Sequence, residues 1–184
     1  MKRALPIILA CGLLAGCGSD DDGEDGADEG APTTQEPVQT ERFRSGQIGF
    51  TFEYPGDLTP RRRPQEDVLA QVSVEPGEPL NAIKIRRTSD RELDADSYLD
   101  EFQRDFERTV GTVEQREEEI GDLDVGVLEF EDDVELGGET VEFRSTSYFF
   151  VGGGRTWQVE CIAASEQRER IERACATVLE SVEF

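Results

Sequence analysis

From Arg42 onward, apolar and polar positions follow two periods. Ile48, Phe50, Phe52 and Tyr54 alternate with small or polar residues, which predicts a strand ended by Pro55-Gly56. Val68 to Val74 and Ala82 to Arg86 predict two more strands, broken by Pro76-Gly77-Glu78-Pro79. Leu93 to Val110 changes to helical spacing, with Tyr98, Leu99, Phe102 and Phe106 on one stripe, Asp94 or Asp96 as a cap and Gly111 as a stop. Four strands follow at about Thr112–Glu119, Leu123–Glu131, Thr140–Val151 and Arg155–Ala163. Gly121-Asp122, Gly137-Gly138 and Gly152-Gly153-Gly154 separate them, and turns this short imply antiparallel hairpins. A helix from Ser165 to about Ser181 closes the pattern, with Ser165 as its cap and Ile171, Ala174, Cys175, Val178 and Val182 on its apolar stripe. No internal repeat is visible. The layout is one α+β domain over 42–184: an antiparallel sheet of six to seven strands packed with two main helices.

The first 41 residues follow neither period. Lys2 and Arg3 precede an apolar run, Leu5 to Ala15, that is too short to span a bilayer, which takes ~20 residues. Leu14-Ala15-Gly16-Cys17 then resembles the lipobox of bacterial lipoproteins, in which the cysteine sulfur takes a diacylglyceryl group and cleavage makes that cysteine the first residue. Residues 1–16 are therefore expected to be a signal peptide and Cys17 the lipidation site. The protein would sit on the outer face of a bacterial cell membrane. Residues 18–41 hold nine acidic residues, no basic residue and one large aliphatic, Val38; with Cys17 they read as a disordered acidic tether, 17–41.

Composition narrows the function. The chain has 42 acidic and 19 basic residues, a formal net charge of -23. It would be repelled by nucleic-acid phosphates and by anionic head groups, so no nucleic-acid partner is expected and membrane attachment must be covalent or hydrophobic. Histidine is absent, which removes the commonest general base and metal ligand. Neither a cofactor nor a metal site is expected. The acidic loop Glu131-Asp132-Asp133-Val134-Glu135 with Glu139 reads as a solvated hairpin tip, with weak calcium binding left open. Of the four cysteines, Cys11 leaves with the signal peptide and Cys17 takes lipid. Cys161 shares a strand face with Trp157 and Val159, and Cys175 lies on the last helix's apolar stripe. If that helix packs on that face the two meet, and an exported compartment permits the disulfide.

The folded part resembles the Mog1/PsbP-like superfamily, especially the small PsbP-like lipoproteins of actinobacteria. The resemblance covers about 45–184. It rests on Gly49-Phe50-Thr51-Phe52-Glu53-Tyr54-Pro55, the helix around Ser97-Tyr98-Leu99, the stretch Tyr148 to Cys161, the helix with Cys175, and Ser181-Val182-Glu183-Phe184. It implies an α/β/α sandwich and non-enzymatic roles in assembly, scaffolding or binding. The metal-cluster role of PsbP and the GTPase binding of Mog1 find no matching functional residues here.

Candidate contact residues are the basic cluster Arg61-Arg62-Arg63, an exposed loop suited to an acidic partner, and the aromatics Tyr148 and Trp157, which could line a cleft with Phe149-Phe150. The leading expectation is a non-catalytic binding or scaffolding lipoprotein whose partner is an envelope protein or small ligand. A carrier of a small apolar ligand between sheet and helices is the second. A carboxylate-based hydrolase is the third.

Overall fold

The computed structural model describes residues 39–89, 102–103 and 112–184. The expected signal peptide, Cys17 and most of the tether lie outside the described residues. So does the helix expected over 93–110, apart from Phe102 and Gln103, which are helical.

Nine strands and one α-helix make up the rest. In chain order they are β1 (Thr40–Phe43), β2 (Phe52–Pro55), β3 (Thr59–Arg62), β4 (Ala70–Ser73), β5 (Ala82–Ser89), β6 (Glu114–Ile120), β7 (Leu123–Leu136), β8 (Glu139–Gly152), β9 (Arg155–Ala164) and α1 (Arg168–Glu180). Strands β3 to β9 form one antiparallel sheet in the order β3-β4-β5-β9-β8-β7-β6. Strands β1 and β2 pair as a separate ribbon. The architecture is α+β, as the hydrophobic pattern implied.

One face of the sheet carries Ile83, Ile85, Val125, Phe150, Trp157, Val159 and Cys161. The ribbon and α1 cover it. The helix buries Ile171, Ala174, Cys175, Val178 and Leu179, each large aliphatic side chain stabilising the core by about 1.5–3 kcal/mol. Cys161 and Cys175 are joined in a disulfide between β9 and α1, with Cα atoms 6.3 Å apart. On the opposite face Phe102 packs against Leu128 and Phe149, its ring centroid 5.1 Å from that of Phe149.

Three expectations are corrected. Thr40 and Glu41, read as the end of the tether, begin β1: Arg42 and Phe43 alternate outward and inward, so the ribbon starts within the acidic sequence. Arg61 and Arg62, read as loop between two prolines, lie in β3. Arg63 N–H bonds to the Leu69 carbonyl at 3.1 Å, so Pro60 and Arg62, at alternating positions, turn their backbones outward. A proline lacking an N–H fits such an edge. Ser165 caps nothing; it opens a 3-10 turn, Ser165–Gln167, and no side chain caps α1.

The β7–β8 hairpin outgrows its neighbours. Pairing with β6 stops at Glu129 and pairing with β9 stops at Phe143, yet the two strands stay paired to Leu136 and Glu139. Gly137 and Gly138 have φ of 63° and 90°, which the tight turn requires and which side chains rarely adopt.

Candidate functional site

A groove of about 430 Å3 lies where β1, β3 and the chain's last residues converge. Two arginines line it, Arg44 just past β1 and Arg62 at the end of β3. The ribbon aligns them: Phe43 stacks on Phe52 at 5.0 Å, and the Arg62 guanidinium sits 5.8 Å above the Phe43 ring while its Nη2 donates to the Arg44 carbonyl at 3.0 Å. The tight turn after Arg44, with Ile48 N–H on the Ser45 carbonyl at 3.2 Å, adds Ser45 and Gly46 to the rim. Thr51 and Glu183 bridge through both their backbone groups, which brings Phe184 to the groove. Ile48, Phe50 and Phe184 make the apolar part of its lining. Phe50 meets the Phe184 ring at 5.5 Å. The Cζ end of the Phe184 ring packs against Gly152, where an added Cβ would clash with it, and Phe184 remains 56% exposed.

The charge of this region is unusual for the chain. Arg42 is paired with Glu183. Arg44, Arg61, Arg62 and Arg63 form no ion pair with any carboxylate among the described residues, and all four are exposed. By contrast Arg86, Arg116, Arg144, Arg168, Arg170 and Arg173 are all ion-paired.

The residues singled out in the sequence therefore separate. Arg62 belongs to the groove. Arg61 turns toward the β4–β5 loop, its Nη1 close to Gly77, and Arg63 sits beyond β3 with φ of 49°. Trp157 is fully buried and forms the layer beneath the groove: its ring meets Phe50 edge-on at 5.0 Å and its indole N–H donates to the Gly152 carbonyl at 3.0 Å. Phe149 and Phe150 point to opposite faces of the sheet and are buried as well, so the expected aromatic cleft is packed core. Sequence reasoning missed Arg44 and Phe184, although Arg42 and Arg44 flank Phe43 at strand spacing.

Tyr148 belongs to a different place, a lattice of charges across β6, β7, β8 and α1. Arg144 reaches Glu131 at 2.8 Å, Glu129 at 3.3 Å and Glu172 at 3.7 Å; Arg168 also reaches Glu131, and Arg116 reaches Glu129. Burial, reinforced by Glu118, raises the Tyr148 pKa. The hydrogen bond from Arg144 lowers that of Glu131. A groove of about 390 Å3 lined by Glu114, Glu129, Glu131 and Arg144 adjoins this lattice, and with three carboxylates to one guanidinium it is net negative. Among the described residues no group of three or more acidic or cysteine side chains is placed to hold a metal ion.

The single lysine outside the signal region, Lys84, lies in β5 on the face opposite α1, between Gln71 and Glu160 in register. It is buried, and burial lowers its pKa against the opposing pull of Glu160. Glu160 is itself paired with Arg86.

No known protein family matches the chain, and no curated protein matches it. Solved structures do. A crystal structure from Bacteroides thetaiotaomicron superposes with a TM-score of 0.55 at 12% identity, covering 79% of this chain and 48% of that one. The chain thus spans about half the length of that protein. Cyanobacterial PsbP from Synechocystis is similar with a TM-score of 0.49 at 14% identity, over 86% of this chain and 99% of that one. LpqN of Mycobacterium tuberculosis, described as involved in cell envelope biogenesis, gives 0.47 at 11% identity, over 81% and 86%. These are likenesses of fold alone.

Proposed function

We propose that this chain is a non-catalytic binding module of the bacterial cell envelope, held at the outer face of the membrane by lipid on Cys17, and that the arginine-lined groove is its contact surface for an anionic partner. The observation that carries this reading is the set of four exposed arginines that have no carboxylate partner among the described residues, in a chain where acidic residues outnumber basic ones 42 to 19. With so many carboxylates available, cations left unpaired along one edge are free for an external anion, which arginine binds through paired N–H donors. The Cys161–Cys175 disulfide fits an exported, oxidising compartment. Among the described residues no helix is long and apolar enough to cross a membrane. The Arg144 hydrogen bond moves the Glu131 pKa down, the wrong direction for a general acid.

Two measurements test the reading. In fractionated cells the wild-type chain is expected in the membrane and Cys17→Ser in the soluble fraction; a soluble wild type removes the anchor. Capture from the envelope with mass spectrometry is expected to retrieve anionic material that Arg44→Glu/Arg62→Glu fails to retrieve. Equal recovery by both forms removes the groove as the contact. An apolar small molecule recovered equally by both would instead make the domain a carrier.

A further inference from the structure

Averaged over the chain, a net charge of -23 predicts repulsion from an anionic membrane. The fold does not average it. From Glu114 to Glu142, in β6, β7 and the start of β8, there are thirteen acidic residues and a single basic one, Arg116. The five arginines of β1, β3 and their flanks lie at the other side, with β3 the edge strand farthest from β6. Acidic charge thus crowds the β6 edge of the sheet, while Arg61, Arg62 and Arg63 lie at its β3 edge and Arg42 and Arg44 on or beside the separate ribbon, which also carries Glu41 and Glu53. At physiological salt, fields fade within about 8 Å, so a surface close to the membrane interacts through its local charge and not through the molecular total.

Two further features mark the arginine edge. Phe184, more than half exposed, stands beside Arg44 and Arg62, and an aromatic ring next to cations suits the head-group layer, where one side is apolar and the other wet. The chain also enters the domain on this side, at Thr40, 23 residues after Cys17, so a fully extended link reaches no more than ~80 Å. A short covalent link keeps the edge at high local concentration over the bilayer, where weak attraction suffices to orient it.

We propose that the partner of the arginine groove is the anionic phosphate head groups of the membrane that holds the protein, so that the domain stands with β1, β3 and Phe184 toward the lipid and the acidic β7–β8 hairpin away from it. This inference rests on the anchoring proposed above. The sequence average forbids electrostatic attachment; the segregated charges turn that repulsion into orientation.

The test uses the full chain lipidated on Cys17, bound to vesicles of phosphatidylcholine alone or with about a third phosphatidylglycerol. Gly46→Cys at the groove rim and Thr140→Cys at the hairpin tip each accept a fluorescent label, since Cys161 and Cys175 are already bonded. A head-group spin label in the lipid quenches nearby dye. The expected result is quenching at position 46 several-fold above that at position 140 in anionic vesicles, falling to the position-140 level in neutral vesicles, in high salt and in Arg44→Gln/Arg62→Gln. Equal quenching at both positions in anionic vesicles overturns the orientation, and quenching at position 46 that ignores lipid charge overturns the phosphate contact. Flotation with neutral vesicles reports the anchor alone. Protein that floats but shows no preferential quenching sinks this inference and leaves the anchoring intact, whereas protein that does not float sinks both.

Discussion

Trp157 has one polar atom, and the Gly152 carbonyl accepts its proton. Placed beneath Phe50, the indole supports the groove without facing it. Trp157→Phe removes the donor and some volume, and is expected to cost about 1–3 kcal/mol in urea unfolding. Arg62→Ala, on the exposed rim, is expected to stay within about 0.5 kcal/mol of wild type while weakening binding of anions. That contrast separates packing from contact, which the sequence could not do: both residue types suit a binding site, and only burial tells them apart. Tyr54 gives a pH test. Burial, with the hydrogen bond to Glu41 at 2.7 Å, raises its pKa from 10.0 to about 12. The folded state holds the phenolic proton more firmly than the unfolded chain does. The stability this confers is complete below pH 10.0 and is lost as pH rises toward about 12. In Tyr54→Phe the extra alkaline loss over that window is expected to vanish from denaturation curves.

Among the elements, α1 depends on its disulfide because it has no side-chain cap and only 13 residues. Reduction, or Cys161→Ala/Cys175→Ala, is expected to cost about 2–4 kcal/mol, read as a shift of the denaturant midpoint. The β7–β8 hairpin carries the opposite tension: Asp133 faces Glu142 in register, and in the neighbouring pair Glu114 faces Glu129. Glu142→Arg is expected to raise stability by up to ~1 kcal/mol, measured by thermal unfolding. Elements built on local patterns were legible in the sequence. The hairpins around Gly137-Gly138 and Gly153-Gly154 announce themselves by residue type, and the pairing of Cys161 with Cys175 follows from two faces with different periods. Strands β1 and β3 were not legible. Each is four residues long, and one holds a proline and two arginines, so neither carries an alternating apolar signal. Their strand character comes from partners, Phe52 to Pro55 for β1 and Ala70 to Ser73 for β3. The groove was illegible for the same reason: it joins Arg44, Arg62 and Phe184, separated by up to 140 residues and brought together by the Thr51–Glu183 bridge.

For the whole molecule, like charges outweigh pairs. Surface ion pairs contribute at most about 1 kcal/mol each, while the thirteen acidic residues from Glu114 to Glu142 repel one another across neighbouring strands. Added sodium chloride is therefore expected to raise the unfolding temperature; a fall would show that the Arg144 lattice outweighs the repulsion. The sheet is open, with β3 and β6 as its two edges. Pro60 removes an outward N–H from the first, and four glutamates between 114 and 119 crowd the second. Anchored as proposed, copies would share a two-dimensional film in which encounters are frequent and already aligned, the condition under which exposed strands zip into fibres. Because one edge lacks a hydrogen and the other repels its own kind, a dense lawn of this protein should stay a population of separate molecules.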